Sequence, residues 1–180
     1  MKRNEAKLRY IHDLCEACAA ITKKYAPEVN GHLSVREMSL RAIQAWFEQW
    51  APHNQRVPPN GGWDWNAIRH STRFAREVNV FRIAVWGQDE MLAGLSIGRS
   101  NKTAVCLEAV EAHPMLLPPI KGIILPVVLD CAAAYAQLTG RREIWLLEPA
   151  SDELINLYVS DYEFELVTPR GGKRYCRKEV

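Results

Sequence analysis

Residues 104–136 read AVCLEAVEAHPMLLPPIKGIILPVVLDCAAAYA, and this stretch decides the fold. It begins with strand-like apolar residues, passes three prolines before a single glycine, Gly122, and ends in an alanine-rich apolar run. Proline is favoured at the first position of a helix and costs about 3 kcal/mol in a helix interior. We therefore predict a strand, a loop, and a helix that begins near Leu125 or Pro126.

The segments on either side complete a mixed pattern of strands and helices. VFRIAVW, MLAGLSIGR and AVCLEAVEA have the period of strands and predict an antiparallel meander. The central helix should end at Gly140, and EIWLLE at residues 143–148 should be the next strand. Because a helix connects that strand to residues 104–112, the two strands should be parallel, with a right-handed crossover. Ser151 then caps a helix that runs to Tyr162, and the short strands FELVT and KRYCR follow.

The first third of the chain is predicted to be helical. The predicted helices cover residues 4–25, then a segment from a capping box at Ser34 and Glu37 to Pro52, then Trp65 to Arg76. The loop chemistry of VPPNGGW separates the second helix from the third. We therefore predict an N-terminal helical extension, residues 1–57, packed on a second part, residues 58–180, in one compact unit.

Composition narrows the class of protein. The 180 residues carry 23 basic and 21 acidic side chains, a net charge of +2, which disfavours a nucleic-acid partner. Five cysteines without a signal peptide favour the cytoplasm, and no apolar run reaches the roughly 18 to 20 residues that span a bilayer. His12, Cys15 and Cys18 share a helix face but lack a fourth ligand, so we expect core residues and no metal.

The order of meander, strand, loop, helix, strand, helix and hairpin resembles that of the GNAT N-acetyltransferases. Residues 104–136 are similar to the family's strand, pyrophosphate loop and central helix. SDELINLYVSDYEFELV, residues 151–167, is similar to its helix with a Leu-Tyr pair before the last strands. The resemblance covers about residues 80–180. It implies a mixed α/β fold, with a mostly antiparallel sheet, a central splayed pair of parallel strands and flanking helices, and an acyltransferase domain over residues 58–180.

The resemblance also implies an activity: transfer of an acetyl group from acetyl-CoA to an amine that the sequence does not identify. A helix N-terminus binds phosphate through unpaired amides and the helix dipole. We expect the amides from Lys121 through Leu125 to be uncommitted, Gly122 to allow close approach, and Lys121 to add a charge. The predicted cofactor-binding residues are Val110, Ala112, Lys121, Gly122, Ile123, Ile124 and Ser151. Among them, the amides of Val110 and Ala112 are expected to donate to the thioester carbonyl.

Three side chains are candidates for the chemistry. Tyr158 can protonate the leaving thiolate, although a core aromatic on an amphipathic helix is an equally simple interpretation. Glu111 or Glu108 can act as the general base, directly or through water. Strict alternation along the strand puts them on opposite faces, so one of the two should face the site, and we favour Glu111 because it lies nearer the loop.

An alternative function follows from the loop. Only Gly122 matches the family's two small residues in the pyrophosphate motif, so a catalytically inactive GNAT-like domain, acting as a binding or regulatory module, is the competing hypothesis. The amine can be a small molecule or a protein, and a homodimer is compatible with the sequence. An acetyltransferase that acts on charged tRNA is disfavoured by the mild charge.

Overall fold

The computed structural model describes residues 3–71, 74 and 77–180, and the sheet at its centre confirms the predicted fold class. The strands are β1 (Ser34–Glu37), β2 (Val80–Trp86), β3 (Leu92–Ser100), β4 (Ala104–Ala112), β5 (Glu143–Leu147), β6 (Glu165–Val167) and β7 (Tyr175–Glu179). Their order across the sheet is β1-β2-β3-β4-β5-β7-β6. β4 and β5 run parallel, and the other neighbouring pairs of described strands are antiparallel.

Helices cover both faces of the sheet. They are α1 (Arg3–Tyr25), α2 (Leu40–Gln49), α3 (Trp65–His70), α4 (Ile124–Leu138) and α5 (Asp152–Tyr162), with short 3-10 turns at Ala26–Val29 and Gln88–Glu90. α1 and α4 share one core with the sheet, in which Phe81 and Tyr135 are fully buried. α2 and α3 share a second core on the other face, around Trp50 and Trp65. The sheet is therefore the middle layer of three.

The N-terminal third differs from its prediction at one element. α1 is confirmed, but Ser34–Glu37 is an edge strand that pairs antiparallel with β2, so the predicted capping box is wrong. The helix begins at Leu40, and its N-cap is Ser39, whose hydroxyl accepts a hydrogen bond from the Ala42 amide at 3.4 Å. Residues 1–57 thus contribute a strand to the sheet as well as helices, while the domain division at residue 57 stays a prediction.

The third predicted helix begins at Trp65 as expected, because the side chain of Asp64 accepts a hydrogen bond from the Ala67 amide at 2.8 Å and caps it. It ends at His70, with Ser71 as its C-cap. Arg76, the predicted end, lies outside the described residues. The helix is therefore six residues long, and it lies beside the loop that precedes it.

The antiparallel meander of β2, β3 and β4 is confirmed, but β4 contains a bulge. Ile97 pairs with Ala109 and Gly98 pairs with Leu107, so Glu108 is an extra residue in the ladder. Leu107 belongs to the core under α4, whereas Ala109 belongs to the core under α2. The bulge thus shifts the alternation of faces by one residue, which period-two reasoning from the sequence does not allow for.

The C-terminal elements are also confirmed. α4 begins at Ile124, one residue before the predicted start, and Gly140 follows its end with a φ of 71°. α5 has Ser151 as its N-cap, and β6 and β7 form the final hairpin. Within the described residues, every helix is too short or too polar to span a membrane.

Candidate active site

The parallel strands β4 and β5 diverge, and a gap opens between them. Their pairing runs from Ala104 with Glu143 to Leu107 with Leu146. β5 then ends at Leu147, whereas β4 continues to Ala112. The far half of β4 consequently lacks β5 as a neighbour, which is the splayed arrangement that the resemblance implies.

The direction of the β4 amides follows from one hydrogen bond. The His113 amide donates to the Ala93 carbonyl at 2.9 Å, so it faces β3. Successive amides of a strand point to opposite sides, so those of Ala112 and Val110 face the gap. The Ala112 carbonyl already accepts a hydrogen bond from Arg56 Nη2 at 2.9 Å, which places the arginine over that end. Val110 therefore offers the more open of the two amides.

A cavity of about 660 Å³ opens at this gap. Its walls come from the loop at Pro59 and Trp63, from α3, from the middle of β3 and β4, from the end of β5 and from α5. Small-molecule sites in proteins have volumes of about 300 to 1,000 Å³. Glu108, Val110 and Tyr158, three of the predicted site residues, line the same cavity.

Tyr158 reaches the cavity from α5. Its ring lies 6.2 Å from the ring of Phe164, which is buried under the same helix. Burial raises the pKa of Tyr158 from 10 to about 12, and nearby Cys176 and Tyr162 add to the shift. The phenol is therefore protonated at neutral pH, as a hydrogen-bond donor or general acid must be.

Glu108 reaches the cavity because of the bulge. Its side chain is 11 % exposed, and its Oε1 lies 3.0 Å from Nε of Arg99 on β3. The ion pair fixes the carboxylate in the cavity wall, next to Val110 on the same strand. A carboxylate accepts up to about four hydrogen bonds, so it can bind an amine while it keeps Arg99.

Glu111 lies elsewhere. Its side chain is 1 % exposed and is not part of the cavity wall. It accepts hydrogen bonds from Asn54 Nδ2 at 2.9 Å, from the Gly62 amide at 2.7 Å and from Trp65 Nε1 at 2.7 Å. Arg56 Nη2 lies 2.9 Å from the same carboxylate. Glu111 is thus engaged in holding residues 54–62 against α3 and the sheet, and this geometry favours Glu108 over Glu111 as the base.

The loop before α4 is only partly open. The Lys121 amide donates to the Leu117 carbonyl at 3.1 Å, and the Ile123 amide donates to the Ile120 carbonyl at 3.2 Å. The prediction of uncommitted amides is therefore wrong at these two positions, because the chain makes short turns there before the helix begins. In the described part of the chain, the amides of Gly122, Ile124 and Leu125 have no backbone acceptor.

Two details keep the loop accessible. Gly122 has a φ of 93°, and a Cβ atom there would meet nothing within 4 Å. Ile124 is 3 % exposed and packs on the sheet, where its Cγ2 lies so close to Gly94 that a Cβ on that glycine would be 2.5 Å away. The isoleucine side chain therefore points into the core and does not fill the loop.

Ser151 has a structural role. Its hydroxyl accepts a hydrogen bond from the Leu154 amide at 3.3 Å and caps α5. Ser151 and the residues from Lys121 to Ile124 do not line the cavity, although Ala150 and Leu154 beside Ser151 do. A bound cofactor would have to extend from the loop to the cavity to use both sets of predicted residues.

The residues weighed as metal ligands separate. Cys18 is buried, with its Sγ 4.0 Å from Sγ of Cys131 on α4, as expected of a core residue. Cys15 and His12 are exposed, so the expectation of core residues is wrong for these two. His12, Asp13 and Glu16 carry ligand atoms within 4.8 Å of one another on α1, where His12 and Glu16 are exposed and Asp13 is buried. Exposed acidic groups on a helix are common without a metal, so the cluster does not indicate a metal site.

Comparison with known proteins adds the fold family. No protein family model and no curated protein sequence matches the chain. The PaiA N-acetyltransferase from Thermoplasma acidophilum, solved with coenzyme A, is 15% identical with a TM-score of 0.57 and covers 82% of this chain and 99% of its own. A GNAT-family acetyltransferase from Listeria monocytogenes is 18% identical with a TM-score of 0.55, over 83% of this chain and 96% of its own.

YncA from Salmonella typhimurium, described as a putative acetyltransferase and solved with acetyl-CoA, is 12% identical with a TM-score of 0.52. That likeness covers 82% of this chain and 94% of YncA. Likeness at such low identity speaks to architecture alone, because one fold hosts many functions. The chain has the fold of the GNAT-family N-acetyltransferases.

Proposed function

We propose that the protein is an acyl-CoA-dependent N-acetyltransferase, which moves the acetyl group of acetyl-CoA to an amine. The observation that carries the proposal is the cavity at the gap between β4 and β5, where Tyr158, Glu108 and Val110 meet on a GNAT fold. The complexes of PaiA with coenzyme A and of YncA with acetyl-CoA support the choice of acyl donor.

The loop before α4 can bind the diphosphate of the donor. The N-terminus of α4 carries the amides of Gly122 and Ile124 and the exposed side chain of Lys121. The helix dipole favours negative charge at this end. The open space beside Gly122 allows a phosphate oxygen to approach the main chain. Fewer amides serve this purpose than the sequence predicts, so the charge of Lys121 matters more.

The cavity can carry the chemistry. Glu108 takes a proton from the ammonium form of the acceptor, and the neutral nitrogen attacks the thioester carbonyl carbon. The Val110 amide donates a hydrogen bond to the oxygen as it becomes negative. When the carbon–sulfur bond breaks, Tyr158 donates its proton to the departing sulfur. The resulting tyrosinate takes the second proton from the nitrogen, and Glu108 returns its proton to water. The products are the acetamide and the free thiol.

Ligand-induced stabilisation tests the proposal. A ligand of the folded state at a hundred times its dissociation constant adds about 2.7 kcal/mol to the free energy of unfolding. We expect acetyl-CoA to raise the melting temperature, and thiol release from acetyl-CoA to depend on an added amine. Absence of a shift at millimolar acetyl-CoA would favour the alternative, an inactive binding or regulatory module.

A matched pair of variants tests the loop. Gly122 and Gly140 both have a positive φ, 93° and 71°, and a Cβ would meet nothing within 4 Å at either. Gly122→Ala and Gly140→Ala should therefore destabilise the protein alike, by about 1 kcal/mol. We expect only Gly122→Ala to weaken acetyl-CoA binding, because only that glycine lies at the start of α4. Equal affinity in the two variants would remove the loop from the cofactor site.

A further inference from the structure

The wall of the cavity is mostly apolar. Ile97 and Ala109 form its floor on the sheet and are 1 % and 9 % exposed. Trp63, Ile68 and Phe74 form the side next to α3, and Leu154 lies on the side of α5. An apolar group that enters such a site gains about 25 cal/mol for each Å² of surface removed from water. This wall suits a hydrocarbon or aromatic body.

The charged groups of the cavity are balanced. The carboxylates among the lining residues are Glu108 and Glu148. Glu108 is paired with Arg99 at 3.0 Å, and Glu148 is paired with Lys173 at 2.5 Å, where both side chains are more than half exposed. Of these two carboxylates only Glu108 is largely buried, so the enclosed part of the cavity can meet one cation, whereas a polyamine, an aminoglycoside or a basic peptide presents several.

We propose that the acceptor is a primary amine with a single positive charge on an apolar body of about the size of an aromatic ring. The inference rests on the proposed function, because it assigns the cavity to the acceptor. Its ammonium group binds Glu108, beside the amide of Val110, and its apolar body lies against Trp63 and Ile68. The amine is thus presented to the place where the thioester carbonyl would be held.

Binding can be measured without acetyl-CoA. Isothermal titration calorimetry on the full chain would compare 2-phenylethylamine, 2-phenylethanol, ethylamine and spermidine. We expect 2-phenylethylamine to bind on the order of a hundredfold more tightly than ethylamine, since its phenyl ring buries about 100 Å² of apolar surface in the cavity. It should bind about tenfold or more tightly than 2-phenylethanol, because the ammonium meets a carboxylate. Spermidine should bind no better than ethylamine.

Variants separate the two halves of the proposed site. Glu108→Gln should remove the preference for 2-phenylethylamine over 2-phenylethanol and leave the affinity for the alcohol unchanged. Trp63→Ala should weaken both ligands by a similar factor. Glu153→Gln, which changes an exposed carboxylate of α5 outside the cavity, is the matched control and should leave all affinities unchanged.

The outcomes distinguish the inference from the proposed function. Tight binding of 2-phenylethylamine that depends on Glu108 and Trp63, together with its acetylation, supports the inference. The same binding without thiol release from acetyl-CoA would leave an amine site in the cavity but overturn both the proposed function and the role of the amine as acceptor. Acetylation of spermidine in preference to 2-phenylethylamine supports the enzyme and overturns the inference. Failure of 2-phenylethylamine to bind, or binding that ignores both variants, also overturns it.

Discussion

Replacing Glu111 by alanine should destabilise the protein far more than the loss of an ordinary strand glutamate. The 1 % exposed side chain is the acceptor for the indole N–H of Trp65, which is itself fully buried, and for the Gly62 amide. Arg56 would lose its carboxylate partner, although it keeps its hydrogen bond to the Ala112 carbonyl and, at 34% exposure, water would compensate part of the loss. Breaking a buried charged pair typically costs about 3 to 5 kcal/mol, and the exposure of Arg56 favours the lower end, about 3 kcal/mol.

For a chain of this length, 1 kcal/mol shifts the melting temperature by about 2 to 4 °C, so Glu111→Ala should lower it by about 6 to 12 °C. Thermal unfolding followed by circular dichroism measures this shift. The control is Glu165→Ala, which removes a strand carboxylate paired with Arg177 at 2.8 Å, both side chains well exposed. Exposed pairs contribute about 0 to 1 kcal/mol. Equal shifts in the two variants would refute the anchoring role of Glu111.

The same variant should loosen one segment more than the rest. Asn54, Arg56 and Gly62 all contact Glu111, and the loop that they belong to carries Pro59 and Trp63 into the cavity wall. Hydrogen exchange should therefore speed up in residues 54–62 before it does so in β2 or β3. Uniform acceleration across the sheet would mean that Glu111 stabilises the domain without holding this loop.

Three further predictions concern Tyr158 and a helix cap. Tyr158→Phe should lower the rate of thiol release by about 10² to 10⁴-fold while leaving acetyl-CoA affinity nearly unchanged, and an unaltered rate would exclude Tyr158 from the chemistry. Because the pKa of Tyr158 is raised from 10 to about 12, its contribution to stability is complete below pH 10 and is lost as the pH rises towards 12. Urea unfolding at pH 9 to 11 should show a steeper loss of stability in the native protein than in Tyr158→Phe. Ser39→Ala should cost about 1 kcal/mol as the loss of an N-cap, whereas Ser34→Ala in β1 should cost less, and the reverse order would restore the capping box at Ser34.

The order of the elements was predictable because most of them have long, regular patterns. The meander, α4, β5, α5 and the last hairpin follow from hydrophobic period, a helix-ending glycine at Gly140 and a capping serine at Ser151. The splayed parallel pair followed from the resemblance and from the rule that a helical connection joins parallel strands. These signals depend on residues that are close together in the chain, so they can be recognised from the sequence alone.

The errors lie where distant residues decide. Ser34 and Glu37 fit the capping-box pattern, but the structure pairs residues 34–37 with β2 as a strand. The sequence gives little sign of this strand, because only Val35 of the four residues is buried. The hydrogen bonds that hold Glu111, whose role as a base stays a prediction, come from partners that lie 46 to 57 residues away along the chain. Glu108 enters the cavity through a bulge that becomes visible only when β3 is aligned beside β4.

Tyr158 was placed in the cavity by its resemblance to the family's helix tyrosine and also lies there in the structure. The alternative interpretation of Tyr158 as a core aromatic also agrees with the structure in part, since its ring packs near the ring of Phe164. The amides of Lys121 and Ile123 could not be judged from sequence, because their acceptors depend on how the proline-rich segment turns.

The length of the outermost strands limits how copies of this protein can meet. β1 has four residues and β6 has three, and they close the two sides of the sheet. Such short edge strands give a second chain few main-chain groups to pair with, so fibre-like growth by strand addition is disfavoured. A homodimer, if it forms, should use helix surfaces. Substitutions in either edge strand, β1 or β6, should therefore leave the oligomeric state unchanged.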